Sequence, residues 1–187
     1  MALQKIMVKV KGIAPLCVHN SQLADPMNKW TKEIKKISGK RKKVDADFEE
    51  MAKLEFFGGL YVNDQKQPII PGECIDATII GAARRSKDGK KAQLAVRSSD
   101  LVIEYDGPKN FEELFIEKFR YAKLVKIGQS RIMRTRPIFR EWGGSITIEY
   151  DNSEIDESTI KEWVKDAGLK IGLCERRPMF GRFEVVS

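Results

Sequence analysis

Four side chains in this 187-residue chain have the reactivity for covalent or metal chemistry: His19, the sole histidine, and Cys17, Cys74 and Cys174. Their spacing argues against it. Cys17 and His19 stand two residues apart on one predicted strand, too close on the same face to read as a nucleophile and its base. No C-x-x-C pair frames a zinc site, and the odd, scattered cysteines read as free thiols in a reducing cytoplasm. No Ser/His/Asp arrangement stands out. The pattern G-x-x-x-x-G-K-[S/T] is absent, which sets aside a P-loop hydrolase. Neither a metal nor a cofactor is expected.

The cations are more informative. The net charge is +7, which suggests a polyanionic partner. From Lys29 to Lys43 there are eight Lys/Arg against Glu33 alone, and from Lys118 to Trp142 eight more against Glu141 alone. Arg84 to Lys91 adds a third group, while 45–55, 100–117 and 149–166 are acidic on balance. Segregation of this kind favours a binding face. In 131–142, Arg131, Arg134, Arg136 and Arg140 alternate with Met133, Phe139 and Trp142. On a strand Arg134, Arg136 and Arg140 share parity and line one face. Arginine planes and aromatic rings together suit single-stranded RNA, whose phosphates pair and whose bases stack. The alternative is a solvated face with its aromatics in the core. The aromatic signature of common RRM sheets is missing.

These residues need elements to hold them. Lys5 to His19 reads as a first strand, with lysines alternating through its first half and Gly12 and Pro15 kinking or ending it. The N-terminal stretch therefore reads as a strand and not as a signal peptide, and no apolar run reaches the roughly 20 residues of a membrane span. Ser21 to Lys43 lacks clean periodicity, and 38–43 (SGKRKK) reads as an exposed, mobile loop carrying Lys40, Arg41, Lys42 and Lys43. Asp45 caps a helix through about Phe57, stopped by Gly58-Gly59.

Pro71-Gly72 opens a second helix with Ile75, Ile79, Ala82 and Ala83 on its inner face. Arg84 and Arg85 sit in its last turn, where they either complement the dipole or meet RNA. Short strands are expected at Gln93–Arg97 and Leu101–Tyr105, and a helical turn or two at 111–119. A ribbon follows, its arms Tyr121–Ile127 and Arg131–Phe139. Then come a strand at Ser145–Tyr150, a helix at Asp156–Ala167 capped by Gly168, and a last strand at Arg182–Val186. Stripped of loops, the order is strand, helix, strand, strand, helix, strand. That is the α+β, ferredoxin-like or RRM-like βαββαβ pattern. At 42% apolar content one domain is expected over 1–187, with a basic arm and helix inserted at 20–70.

The stretch Ile70-Pro71-Gly72 with its following apolar spacing resembles the loop-to-helix turn of RAMP proteins, the RRM-like backbone subunits of CRISPR effector complexes. The opening from Val8 to His19-Asn20 is similar to that family's first strand, which runs into a loop near bound RNA. The ending Arg176-Arg177-Pro178-Met179-Phe180-Gly181-Arg182-Phe183 resembles its C-terminal glycine loop and last strand. The three motifs span the chain and resemble those of a minimal or divergent member, of cellular or phage origin. Physically, a glycine loop lets an RNA backbone approach main-chain N–H groups, and the helix start at 71–73 offers donors to phosphate. Gly181 also fits a simple turn before the last strand.

The resemblance implies an RNA-binding subunit that coats guide RNA in a ribonucleoprotein, beside copies of itself or other effector subunits, in the cytoplasm and off the membrane. It implies RNA contact by His19, Asn20, Lys40, Arg41, Lys42, Lys43, Arg84, Arg85, Arg131, Arg134, Arg136, Arg140, Arg177 and Arg182. Two alternatives use the same surfaces: a mimic that inhibits such a complex, and an RNA endonuclease. For the latter the catalytic candidates are His19 and Asp25, since some members of the family it resembles cleave RNA with an aspartate after the first strand. Asp25 before Pro26 is also ordinary turn chemistry.

Overall fold

The computed structural model describes residues 3–186. Strand β1 (Leu3–Gly12) alternates as expected: Ile6, Val8 and Val10 are buried and the intervening lysines are exposed. It ends where Gly12 admits Trp142, whose indole lies where a Cβ would stand. The predicted strand to His19 is thus two pieces, because Pro15 interrupts it before β2 (Leu16–Cys17). Residues 20–70 hold a 3-10 turn at Ser21–Ala24, helices α1 (Lys29–Ser38) and α2 (Asp45–Gly59), and strand β3 (Ile69–Ile70).

Helix α3 (Gly72–Ala83) buries Ile75, Ile79, Ala82 and Ala83, the expected stripe. Helix α4 (Gly89–Ala95) then leads into β4 (Val96–Ser98). Most of the strand expected at 93–97 is therefore helix. Ala92 and Ala95 supply a small buried face, and only from Val96 does the chain extend. Next come β5 (Leu101–Val102), 3-10 turns at Phe111–Leu114 and Glu117–Phe119, and the ribbon of β6 (Arg120–Ile127) and β7 (Ser130–Phe139). Strand β8 (Gly143–Asp151), helix α5 (Glu157–Asp166) and strand β9 (Phe183–Val185) complete the fold. The helix after Asp156 does not stop at Gly168. It continues as a π-type turn to Ile171 and ends at Gly172, φ 84°, while Gly168 makes room for Phe183.

The main sheet has the order β4-β8-β1-β9, with each neighbouring pair antiparallel. With α3 between β1 and β4, and α5 between β8 and β9, this is the α+β, ferredoxin-like βαββαβ arrangement. One apolar cluster joins the sheet's inner face (Val8, Ile146, Ile148) to α3 and α5 through Ile79, Ile160 and Val164. Burying each such side chain is worth about 1.5–3 kcal/mol. Residues 99–142, between β4 and β8, form a second excursion, and it carries the expected ribbon. It builds the three-stranded sheet β2-β7-β6, in which Leu16 and Cys17 pair with Phe139 and Ile138. The base of the ribbon is thereby rooted in the core, and its outer half runs beside α1 and α2.

Candidate nucleic-acid interface

Helix α1 is the largest departure from expectation, since the stretch 21–43, which lacks clean periodicity, holds a ten-residue helix at Lys29–Ser38. Asn28 caps it, accepting from the Trp30 N–H at 2.9 Å. Trp30, Thr31, Ile34 and Ile37 are its half-buried residues; the others are exposed. Trp30 stacks on Phe57 of α2, and Gly58 lets Leu23 and Trp30 close on that helix. The glycine pair read as a helix stop is therefore also a packing surface, with Gly59 against Pro137 of β7.

Between α1, α2 and the ribbon lies a groove of about 1040 Å³. Ile34, Phe48, Met51, Val125, Ile132 and Met133 form its apolar lining, and Lys35, Lys43, Lys126, Arg134 and Arg136 bring cations to it. Phe48 and Met133 are each 57% exposed, so an apolar surface lies open beside the cations.

Glu55, on the last turns of α2, is 6% exposed. It pairs with Arg134 Nη1 and accepts the Thr135 N–H at 2.8 Å. A buried carboxylate persists only with such partners, and this one holds Arg134 at the groove. Arg136 pairs with Glu175 at 3.1 Å. His19 sits beside them, and burial, then the Arg136 charge, pushes its pKa below the usual value. It is therefore a neutral imidazole at pH 7. Burial drives the thiol of Cys17 up to about 12, which makes it inert.

Of the predicted contacts, the groove gathers His19, Lys43, Arg134 and Arg136. Arg131 is exposed on β7 opposite Lys126, near the ribbon's turn. Arg41 and Lys42 are exposed between α1 and α2, whereas Lys40 pairs with Asp47 at 2.5 Å, drawing that carboxyl below its usual pKa. Asn20 is a structural cap: it accepts from Gln22 N–H and donates to Leu60 O, both at 3.0 Å. Asp25 is exposed and accepts the Met27 N–H at 2.8 Å, the ordinary turn chemistry.

The remaining arginines lie apart from the groove. Arg84 and Arg85 are exposed on a 3-10 turn after α3. Arg140 lies beyond β7 and donates to the Lys118 carbonyl, so it does not extend the Arg134–Arg136 face. Phe139 and Trp142 are buried, so the interleaved aromatics belong to the core. Arg177 reaches Thr78 Oγ1 at 3.4 Å, and the Arg182 carbonyl accepts from Ile13 and Ala14.

At both backbone sites expected to receive phosphate, the glycine N–H is already bonded within the protein. Gly72 N–H donates to Asp100 at 2.8 Å, which caps α3 from the following segment. Gly181, φ 74°, donates its N–H to Pro15 O at 2.8 Å and accepts from Leu173 N–H at 2.9 Å. It is the simple turn before the last strand. The groove residues that sequence reasoning missed, Lys35, Lys126 and the apolar floor, depend on α1. Its signal was available in the Asn28 cap and the Trp30, Ile34, Ile37 spacing.

No protein-family model matches the sequence, and no curated protein matches it. Among solved structures the chain is similar to a chain of the Type III-B Cmr-beta bound to cognate target RNA, at 13% identity and a TM-score of 0.56. That similarity covers 99% of this chain and 59% of the other, so this chain spans a little over half its length. Cmr6 from Pyrococcus furiosus aligns over 99% of both chains at 12% identity and a TM-score of 0.49. The first likeness shows the fold alone, and it agrees with the α+β, ferredoxin-like arrangement of the main sheet. Among the described residues no helix is long and apolar enough to cross a membrane, and no cluster of three or more His, Cys, Asp or Glu is placed to hold a metal.

Proposed function

We propose that this chain binds single-stranded RNA as a non-catalytic subunit of a CRISPR ribonucleoprotein, coating guide RNA beside copies of itself or other effector subunits. The groove carries this reading. Its cations suit phosphates and its open apolar lining suits unpaired bases, a combination that duplex RNA, with its bases stacked inside, does not exploit. The RAMP-like fold agrees with it, as does the neighbour whose structure holds target RNA. The acidic segments 45–55 and 149–166 offer surfaces for the basic loop of an adjacent subunit. Such exposed pairs set register and contribute under about 1 kcal/mol each.

A salt titration of binding to single-stranded RNA tests the reading. Engagement of about 6 phosphates gives a log–log slope near −4, from roughly −0.7 per phosphate. Replacing Lys35, Lys43 and Lys126 by alanine makes that slope shallower by about 2, whereas replacing Arg84 and Arg85 leaves it unchanged. A flat titration, or equal loss from both sets, removes the groove from consideration. Native mass measurement on RNAs of increasing length then addresses coating. Copy number that grows with length supports it, and a fixed one or two copies favours an inhibitor or a stand-alone binding module.

A further inference from the structure

The strand β7 has two edges, and they are used differently along its length. Val18 N–H donates to Pro137 O at 3.0 Å, and Thr135 N–H donates to Glu55 at 2.8 Å. The odd-numbered residues of β7 therefore turn their main-chain groups away from β6. The even-numbered ones, such as Arg134 opposite Lys123, hold the ladder to it. On the edge away from β6, strand β2 pairs only with Ile138 and Phe139. At Thr135 a carboxylate oxygen of Glu55 stands where the carbonyl of a neighbouring strand would. One step further, at Met133, neither is left: among the described residues the sheet gives its N–H and C=O no partner strand. Met133 lines the groove and is 57% exposed. Lys43 and Lys126 bring positive charge to the same space, and Phe48 brings an exposed ring.

We propose that Met133 holds one unpaired base of the bound RNA by its Watson–Crick edge, through its main-chain N–H and C=O. This rests on the groove binding RNA and says what it reads there. An extended residue presents its donor and its acceptor side by side on one edge. A phosphate, which only accepts, would leave the carbonyl unmatched. The Watson–Crick edge of a base sets a donor beside an acceptor and matches both. For uridine, the Met133 N–H donates to O4 and the Met133 C=O accepts from N3–H. A peptide strand could match them too, but pairing along a strand needs a run of open residues. Glu55 closes this edge at Thr135, and the ribbon turns just beyond Arg131. The opening is the size of a base, and the cations around it suit the phosphates on either side.

The test compares the binding of the full chain to an oligouridine, to the same oligomer of 3-methyluridine, whose methyl group replaces the N3 hydrogen, and to that of 5-methyluridine, whose methyl group lies off the Watson–Crick edge. The first and third bind alike, and the 3-methyl oligomer binds about tenfold more weakly with the same salt slope. Met133→Ala keeps the main-chain donor and keeps that preference. Met133→Pro removes the donor and leaves the carbonyl, so the preference falls to about threefold. Proline is tolerated on an edge where the N–H is outside the ladder, and Pro137 already stands at this parity in β7. If Met133→Pro does not fold, hydrogen exchange at the Met133 amide of the wild-type chain decides. Oligouridine slows it, and the 3-methyl oligomer or a ribose-phosphate polymer without bases slows it far less. Equal affinity for all three oligomers with a steep salt slope overturns the base site and leaves RNA binding standing, whereas a flat salt titration removes both. An undiminished preference in folded Met133→Pro overturns it as well. Equal slowing by the base-free polymer assigns the donor to phosphate, and slowing by an extended acidic peptide but not by oligouridine assigns the edge to a protein strand; either result overturns the proposal.

Discussion

The groove beside the ribbon and the joint between α3 and β9 contain similar materials: arginines, glycines and a reversal of the chain. They use their polar groups differently. At the joint the N–H groups of Gly72 and Gly181 are bonded within the protein, and a Cβ at either glycine would stand 2.0 Å from a backbone oxygen. In the groove Lys35 and Lys126 have exposed side chains beside open apolar surface. A glycine-rich segment at a helix start or before a strand is therefore not itself a phosphate cradle. What distinguishes a cradle from a joint is whether its donors still face solvent.

Gly181→Ala tests that contrast most severely. Its φ of 74° and its crowding against Leu173 O leave no room for a side chain. Left-handed strain and overpacking together cost about 4 kcal/mol, read as a drop in the urea midpoint. RNA affinity, corrected for the folded fraction, stays unchanged. A folded Gly181→Ala with lost affinity would instead make the joint part of the binding site.

Glu55 sharpens the comparison from the groove side. Glu55→Ala leaves Arg134 and the Thr135 N–H without their partner and costs about 3 kcal/mol. Glu55→Gln keeps an acceptor for Thr135 but removes a negative charge from a site meant for anions. It destabilises less and tightens RNA binding roughly fivefold, the worth of about 1 kcal/mol of relieved repulsion. Weaker RNA binding by folded Glu55→Gln would mean that Arg134 needs the charged carboxylate to be positioned at all.

The core was largely legible because its signals are local. Alternation in β1, the 75/79/82/83 stripe in α3 and the 160/163/164/167 stripe at α5 each reflect one buried face. The ribbon was legible through its two arms and glycine turn. What was not legible depends on partners distant in sequence. Helix α1 buries nothing completely; its order comes from Phe57 and Gly58, and cation density masked its weak stripe. Likewise the arginines of 131–140 show parity but not pairing, and Glu55, Glu175 and the Lys118 carbonyl are what separate Arg134 and Arg136 from Arg140. Asp100 is as hidden: nothing in its own neighbourhood marks it as the cap of a helix that begins 28 residues earlier.

The smallest effect concerns His19, which belongs to the groove by position and to the core by burial. Its folded pKa lies below 6.5 because burial and Arg136 both disfavour the imidazolium. The unfolded chain therefore binds the proton more readily. The stability contributed by the neutral ring is present above pH 6.5 and is lost as pH falls from there toward the folded pKa. His19→Gln cannot titrate, so its urea midpoint loses part of the wild-type decline below pH 6.5, and the two curves run parallel above it. RNA phosphates act in the opposite sense, since an anion beside the ring favours the imidazolium and raises its pKa. With saturating RNA the wild-type decline below pH 6.5 should shrink toward that of His19→Gln. If RNA leaves the wild-type pH dependence untouched, phosphate does not come near His19, and the occupied part of the groove lies further out, toward Lys126.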